Sequence, residues 1–245
     1  MMRSHRRTLI FAAASVVAVF ILLGLGYWQL ERRVWKEALI AELAAASKPD
    51  ARALDLGEAE RLLASDASRD FARVRLDGEY LDGMDRYLFS ISAGAPGYHV
   101  ISPLMTGDGR LVLVDRGFVP EALRDAASPA SGPAAVEGLL RQARVRGMFA
   151  PADDVAGNVW YWPDIPALLA SLPEAAGARP VPYLLEALPG AASASWPRPD
   201  PPDPRAIPNN HLQYAVTWFG LAAVCLVMTV LLLWGRGGPD PDGPA

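Results

Sequence analysis

"YHVISPLMTGDGRLVLVDRGFV", residues 98 to 119, holds two apolar runs joined by a polar knot. "YHVISPLM" and "RLVLVDRGFV" flank Thr106-Gly107-Asp108-Gly109, and glycine supplies the positive φ that tight hairpin turns need. The stretch predicts an antiparallel hairpin. Upstream, in "RVRLDGEY", Val74, Leu76 and Tyr80 alternate with Arg73, Arg75, Asp77 and Glu79, the period-2 pattern of a half-buried strand. "RYLFSIS" is expected to pair with that strand across Leu81 to Asp85. Downstream, a loop rich in Ala, Ser, Pro and Gly, Ala126 to Ala135, leads to a strand in "VEGLLRQARV". "NVWYWPDIPALLASL" reads as a short helix around Asp164, and "PYLLEAL" as a late strand. Successive strands with few helices predict a mainly antiparallel α+β domain.

That domain is bracketed by apolar runs. No residue from Thr8 to Leu30 is charged, and "LIFAAASVVAVFILLGLGYW" has the length that spans hydrocarbon. Tyr214 to Trp234 forms a second uncharged run of similar length. No small-x-small cleavage site follows the first run, so it reads as an uncleaved anchor. Beyond it, "GYWQLERRVWKEALIAEL" stays helical, with Trp28, Trp35, Leu39 and Leu43 near one face. The helix breaks at Pro49, and Asp55 caps a short helix through Leu63.

The expected layout is a tail over 1–7, a transmembrane helix over 8–30 and an extracytoplasmic α+β domain over 31–188. A proline-rich tether over 189–210, a second transmembrane helix over 211–234 and a tail over 235–245 follow. Pro189 to Pro208 contains seven prolines, which fix φ and make the tether extended and semi-rigid. Lys and Arg divide almost evenly about the first span, so they do not orient the chain. Long loops translocate largely regardless of charge, which places the short tails in the cytoplasm and the domain outside. A span that starts at about residue 8 leaves no room for an organelle presequence, and a bacterial cell membrane is the expectation.

Of the 245 residues, 51% are hydrophobic, and the net charge of −4 gives no footprint for nucleic acid. The single cysteine, Cys225, lies mid-span and excludes an internal disulfide. There is no G-x-S-x-G elbow, Walker loop, C-x-x-C or H-E-x-x-H, and the three histidines are scattered without metal spacing. Two glycines in "GLGYWQ" lack the third glycine and the preceding strand of a dinucleotide site. The expectation is a protein that is not an enzyme.

One histidine stands apart. In "IPNNHLQYAVTWFG", Asn210 and Gln213 resemble a capping box, which places His211 in the first helical turn. Trp218 lies on nearly the same face and Tyr214 close beside it. The partial positive charge of a helix N-terminus disfavours a protonated ring, and neutral imidazole is a metal ligand. Aromatic neighbours suit a planar cofactor, but His, Tyr and Trp also populate membrane interfaces. On these residues alone both readings stand.

Four motifs in order, "GYWQLERRVWKEALI", "PGYHVISPL", "LVLVDRGFVP" and "NNHLQYAVTWFGLA", resemble those of the surfeit-locus cytochrome c oxidase assembly family. The resemblance runs from Gly26 to about Ala222. It implies a two-span membrane protein with a periplasmic or intermembrane-space domain that helps insert haem a into the oxidase catalytic subunit. It carries the role of haem ligand to His211, the motif's histidine. The cofactor-binding set is then His211, Trp218, Tyr214, Trp28 and Arg32, with the aromatics walling the ring and Arg32 meeting a propionate. His211 is its metal ligand. Implied partners are the catalytic subunit, the haem a synthase and the lipid bilayer; haem a is held transiently. Trp28, Gln29, Arg32 and Lys36 belong to the first motif, Gly97 and Tyr98 to the second, Arg116 and Gly117 to the third. Phe118 stands where many members have tryptophan. Structural readings compete: Trp28 as an interfacial belt, Arg32 snorkelling, Gly97 in a turn after Pro96, Gly117 at a strand bend. So do two functional ones, a cofactor-free scaffold for oxidase assembly and a two-span sensor, the latter disfavoured by the short tails.

Overall fold

A computed structural model describes residues 2–65, 69–92, 94–142, 146–172, 177–190, 195–200 and 202–234. The chain divides into two compact units. One is Ala41–Pro204; the other is the chain up to Ile40 together with that from Arg205 onward.

In the first unit, helix α2 (Leu56–Ser65) precedes strands β1 (Phe71–Tyr80), β2 (Arg86–Ser92), β3 (Ala95–Thr106), β4 (Arg110–Pro120), β5 (Gly132–Gln142) and β6 (Val159–Trp160). Helix α3 (Ile165–Ala170) and strand β7 (Arg179–Ala187) complete it. The strands form one sheet in the order β1-β5-β7-β4-β3-β2-β6. Because β1 also pairs with β3 through Gly78↔Thr106, Glu79↔Met105 and Tyr80↔Leu104, the five strands β1, β5, β7, β4 and β3 close into a ring. Closure leaves less free edge for pairing with other chains, with β2 and β6 extending the sheet outward from β3. Among the described strand pairings only β4–β7 and β2–β6 are parallel, so the fold is α+β with a mostly antiparallel sheet, as expected.

The hairpin β3–β4 forms as read. Gly109 takes φ 78°, and its N–H donates to the Thr106 carbonyl at 2.9 Å. Alternation then sends Val74, Leu76, Leu104, Val112, Val114, Val136, Leu140, Val181 and Leu185 into the ring, where Leu56, Ala59 and Leu63 of α2 cover them. Burying each such leucine or valine contributes about 1.5–3 kcal/mol. Asp55 caps α2, accepting the Glu58 N–H at 2.8 Å. Asp164 does the same for α3, accepting from Ala167 N–H at 3.1 Å.

Two expectations change. "RYLFSIS" does not pair with β1. β5 occupies β1 along its whole length, from Phe71↔Arg141 to Tyr80↔Gly132, and β2 pairs with β3 instead. Strand β5 starts at Gly132, inside the stretch read as loop. Within the proline-rich segment, Trp196 packs on Tyr98, Val100 and Val119, and Arg198 exchanges backbone hydrogen bonds with Phe118 at 2.9 and 3.0 Å.

The second unit contains most of helix α1 (Met2–Ala46) and helix α4 (His211–Trp234). Both are long and apolar enough to cross a membrane. The outward apolar side chains, among them Phe20, Ile21, Val224 and Leu231, are exposed in the protein alone, the pattern of surfaces that lipid covers.

Candidate functional site

Within the helix pair, α1 and α4 meet through a small residue and a polar contact. A Cβ on Gly26 would lie 2.6 Å from the Phe219 ring, so only glycine lets Phe219 seat against α1. One turn along α1, Gln29 Oε1 lies 2.7 Å from Nδ1 of His211, a contact between residues 182 apart in sequence. Nε2 of His211 makes no hydrogen bond among the described residues. Asn209 Oδ1, two residues earlier, is buried without a partner.

The capping box does not form. Asn210 and Gln213 are exposed, and Asn210 enters α4 through its carbonyl, which accepts from Tyr214 N–H at 3.3 Å. Any residue at that position can offer its carbonyl, and here the side chains remain in solvent.

Of the other expected site residues, Trp28 and Tyr214 are 53% and 55% exposed, and Trp218 is half-buried. The Arg32 guanidinium stacks 3.7 Å from the ring centroid of Trp35, one turn beyond Gln29. Among the described residues no three His, Cys, Asp or Glu side chains converge to hold a bare metal ion. The side chain that hydrogen-bonds His211 is Gln29, known from the sequence only as a motif member. An amide amid apolar and aromatic residues was the available signal; its partner was not.

A second polar centre lies in the domain. His99 on β3 places Nδ1 2.9 and 3.1 Å from the two carboxylate oxygens of buried Asp115 on β4, and Nε2 3.7 Å from Asp200. Glu186 on β7 is paired with Arg141 on β5. Two cavities of about 290 and 340 Å³ share His99, Asp115, Arg141 and Glu186. Burial works against a charged His99, but the Asp115 hydrogen bond and the Asp115, Asp200 and Glu186 charges outweigh it and raise the pKa above 6.5. Burial raises Glu186 above 4.5, partly countered by Arg141. The arrangement ties β3 to β4 and β5 to β7 through charged side chains. Sequence reading placed His99 only on a strand, because a bulge between His99 and Ile101 shifts the register that aligns it with Asp115.

The middle motifs serve packing. Gly97 lies within β3, not in a turn, and a Cβ there would come 2.3 Å from the Val119 carbonyl and 2.4 Å from the Phe118 ring. Gly117 has φ 107° and a Cβ there would meet the Arg198 carbonyl at 2.0 Å. Arg116 donates to the Ser128 carbonyl at 2.9 Å and lies 3.9 Å from Asp85. Both glycines therefore admit a neighbouring backbone, and Arg116 ties β4 to the loop after it.

Residues 16–223 match the model of the SURF1 family, nearly the whole chain. The chain belongs to the SURF1 family. Among SURF1-family relatives, a SURF1-like protein of Monosiga brevicollis is 32% identical over 228 residues, covering 85% of this chain and 82% of the other. Surfeit locus protein 1 of Takifugu rubripes is 29% identical over 229 residues, covering 84% and 89%. A SURF1-like protein of Rickettsia felis is 28% identical over 229 residues, covering 88% and 93%. The SURF1 match contains both Gln29 and His211, so the contact between helices lies inside the shared region.

Proposed function

We propose that this SURF1-family protein is a membrane-anchored assembly factor for haem–copper cytochrome c oxidase. In this reading it binds haem a transiently through His211 and passes it to the catalytic subunit. It acts by holding and handing over a cofactor, without catalysing a reaction. The bacterial cell membrane is its location, the domain is periplasmic, and the haem a synthase is the natural donor.

The observation that carries the haem reading is the state of His211. Its Nδ1 is engaged by Gln29, and its Nε2 is uncommitted among the described residues. A structural or catalytic bare zinc ion needs three or four protein ligands, and no such group converges among the described residues. One imidazole is enough only for a metal that brings most of its own ligands, as haem iron does. The residues present fit that group. His211 would ligate the iron, Trp28, Tyr214 and Trp218 would offer aromatic faces, and Arg32 a cation for a propionate. When bound, haem a supplies a redox-active iron; the protein's part is to orient it and keep it from water.

Purified from cells that make haem a, the protein should carry a haem visible spectrum that His211→Ala abolishes while His99→Ala retains it. An equal, unchanged spectrum in His211→Ala would sink the ligand role. A wild-type protein free of haem, in a strain whose oxidase still depends on the gene, would instead favour a cofactor-free scaffold. For orientation, alkaline phosphatase fused after residue 120 should be active and one fused after residue 234 inactive; the reverse overturns the topology.

A further inference from the structure

We infer that Gln29 is the positioning residue of His211: its carboxamide oxygen holds the imidazole with the proton on Nδ1, leaving the lone pair of Nε2 free to bind a metal. The inference deepens, and rests for its purpose on, the haem-binding reading above; the tautomer itself does not depend on it.

A neutral imidazole carries one N–H and one lone pair, and which nitrogen holds which is set by the hydrogen bond the ring makes. The atom facing Nδ1 is Gln29 Oε1 at 2.7 Å. A carbonyl oxygen only accepts, so Nδ1 must donate. Free histidine in water prefers the opposite tautomer, with the proton on Nε2, which would block that nitrogen as a ligand. The inversion therefore needs a fixed acceptor, and Gln29 supplies it from the neighbouring helix.

The acceptor is also well placed to stay fixed. Gln29 lies three residues after Gly26, where the absence of a Cβ lets Phe219 approach. Both ends of the Gln29–His211 bond are thus mounted on helices held close at the adjacent turn. The contact is part-buried between the two helices, where an amide without its partner costs more than it would in open solvent, which favours the closed arrangement. Metal-ligating histidines generally donate their other ring N–H in this way, and loss of the acceptor weakens metal affinity about 10–100-fold.

The test uses the full-length protein in detergent micelles with ¹⁵N-labelled histidine, free of haem, at a pH where the ring is neutral. His211 signals, identified by their loss in His211→Ala, should show a protonated Nδ1 and an unprotonated Nε2. Gln29→Leu should move the proton towards Nε2 and weaken binding of added ferric protoporphyrin IX about 10–100-fold. Gln29→Glu keeps an acceptor oxygen and should retain the tautomer and the binding, with a more negative reduction potential because a carboxylate makes the ring a stronger donor. Should Gln29→Leu fail to fold, the wild-type spectrum and Gln29→Glu still decide. A protonated Nε2 in the wild type, or a tautomer and affinity that Gln29→Leu leaves unchanged, overturns the inference. A wild type with the expected tautomer that binds neither ferric protoporphyrin IX nor haem a upholds the tautomer assignment and overturns the haem reading alone.

Discussion

Gly117→Ala should destabilise the domain far more than its one added methyl group suggests. Two separate costs are involved. Gly117 has φ 107°, a conformation that costs a residue with a Cβ about 1–3 kcal/mol. The new Cβ would also fall 2.0 Å from the Arg198 carbonyl oxygen, 2.2 Å from its carbon and 2.3 Å from Pro199 N, all backbone atoms that cannot rotate away. Relief requires the 196–199 strap to lift, which breaks the paired Phe118–Arg198 hydrogen bonds at 2.9 and 3.0 Å. Each bond contributes about 1 kcal/mol net. The sum is about 3–5 kcal/mol, a large part of the 5–15 kcal/mol typical of a whole domain. Urea unfolding of the full chain in micelles, followed by tryptophan fluorescence, reads it, since Trp196 sits on the strap. Gly109→Ala is the internal control: φ is 78° but the space is open, so only the conformational cost of about 1–2 kcal/mol remains. Gly107→Ala, with open space and no positive φ, should stay within about 0.5 kcal/mol. Equal losses for Gly117→Ala and Gly109→Ala would refute the close-approach argument.

The raised pKa values of His99 and Glu186 should make domain stability pH-dependent. His99 has a folded-state pKa above 6.5, so its contribution is full below pH 6.5 and is lost as pH rises through the folded value. Glu186, raised above 4.5, acts in the same direction: the buried charge weakens the fold as pH climbs above 4.5. Urea midpoints should therefore fall as pH rises through and beyond 6.5, and His99→Gln should flatten that upper slope; an unchanged slope in the variant would contradict the assignment. The helix starts offer a contrast. Asp55→Ala should cost about 1 kcal/mol in a thermal melt, because its carboxylate caps α2. Asn210→Ala should cost under about 0.5 kcal/mol, because its side chain is exposed and does not cap α4. Equal costs for the two would show that Asn210 caps after all.

What could be read from sequence was what neighbours in sequence decide. The β3–β4 turn depends on Gly109, the α2 start on Asp55 and Glu58, and the two long helices on uninterrupted apolar runs. Each is a local balance of backbone conformation or burial. Ring closure is different in kind. β1 finds β5 some sixty residues on, through Arg73↔Leu139 and Leu76↔Val136, and no composition signal separates that pairing from β1 with β2. Once β5 and β3 hold β1, β2 is left to the outer edge of β3, and the hairpin read from spacing cannot form.

The same division governs the two histidines, and it explains why only one of them looked functional. His211 was conspicuous because it borders an uncharged run, where any polar group demands a reason. His99 was hidden among alternating strand residues, although it is the one surrounded by charge. The surroundings send them to different work. His99 faces Asp115, Asp200 and Glu186, whose charges favour its protonated form, and a protonated ring has no lone pair for a metal. His211 faces the uncharged amide of Gln29, which can fix a proton on one nitrogen without adding a second to the ring. A neutral acceptor rather than a carboxylate is therefore what the proposed ligand role of His211 asks of position 29, since it orders the proton on Nδ1 without adding a charge beside the ring.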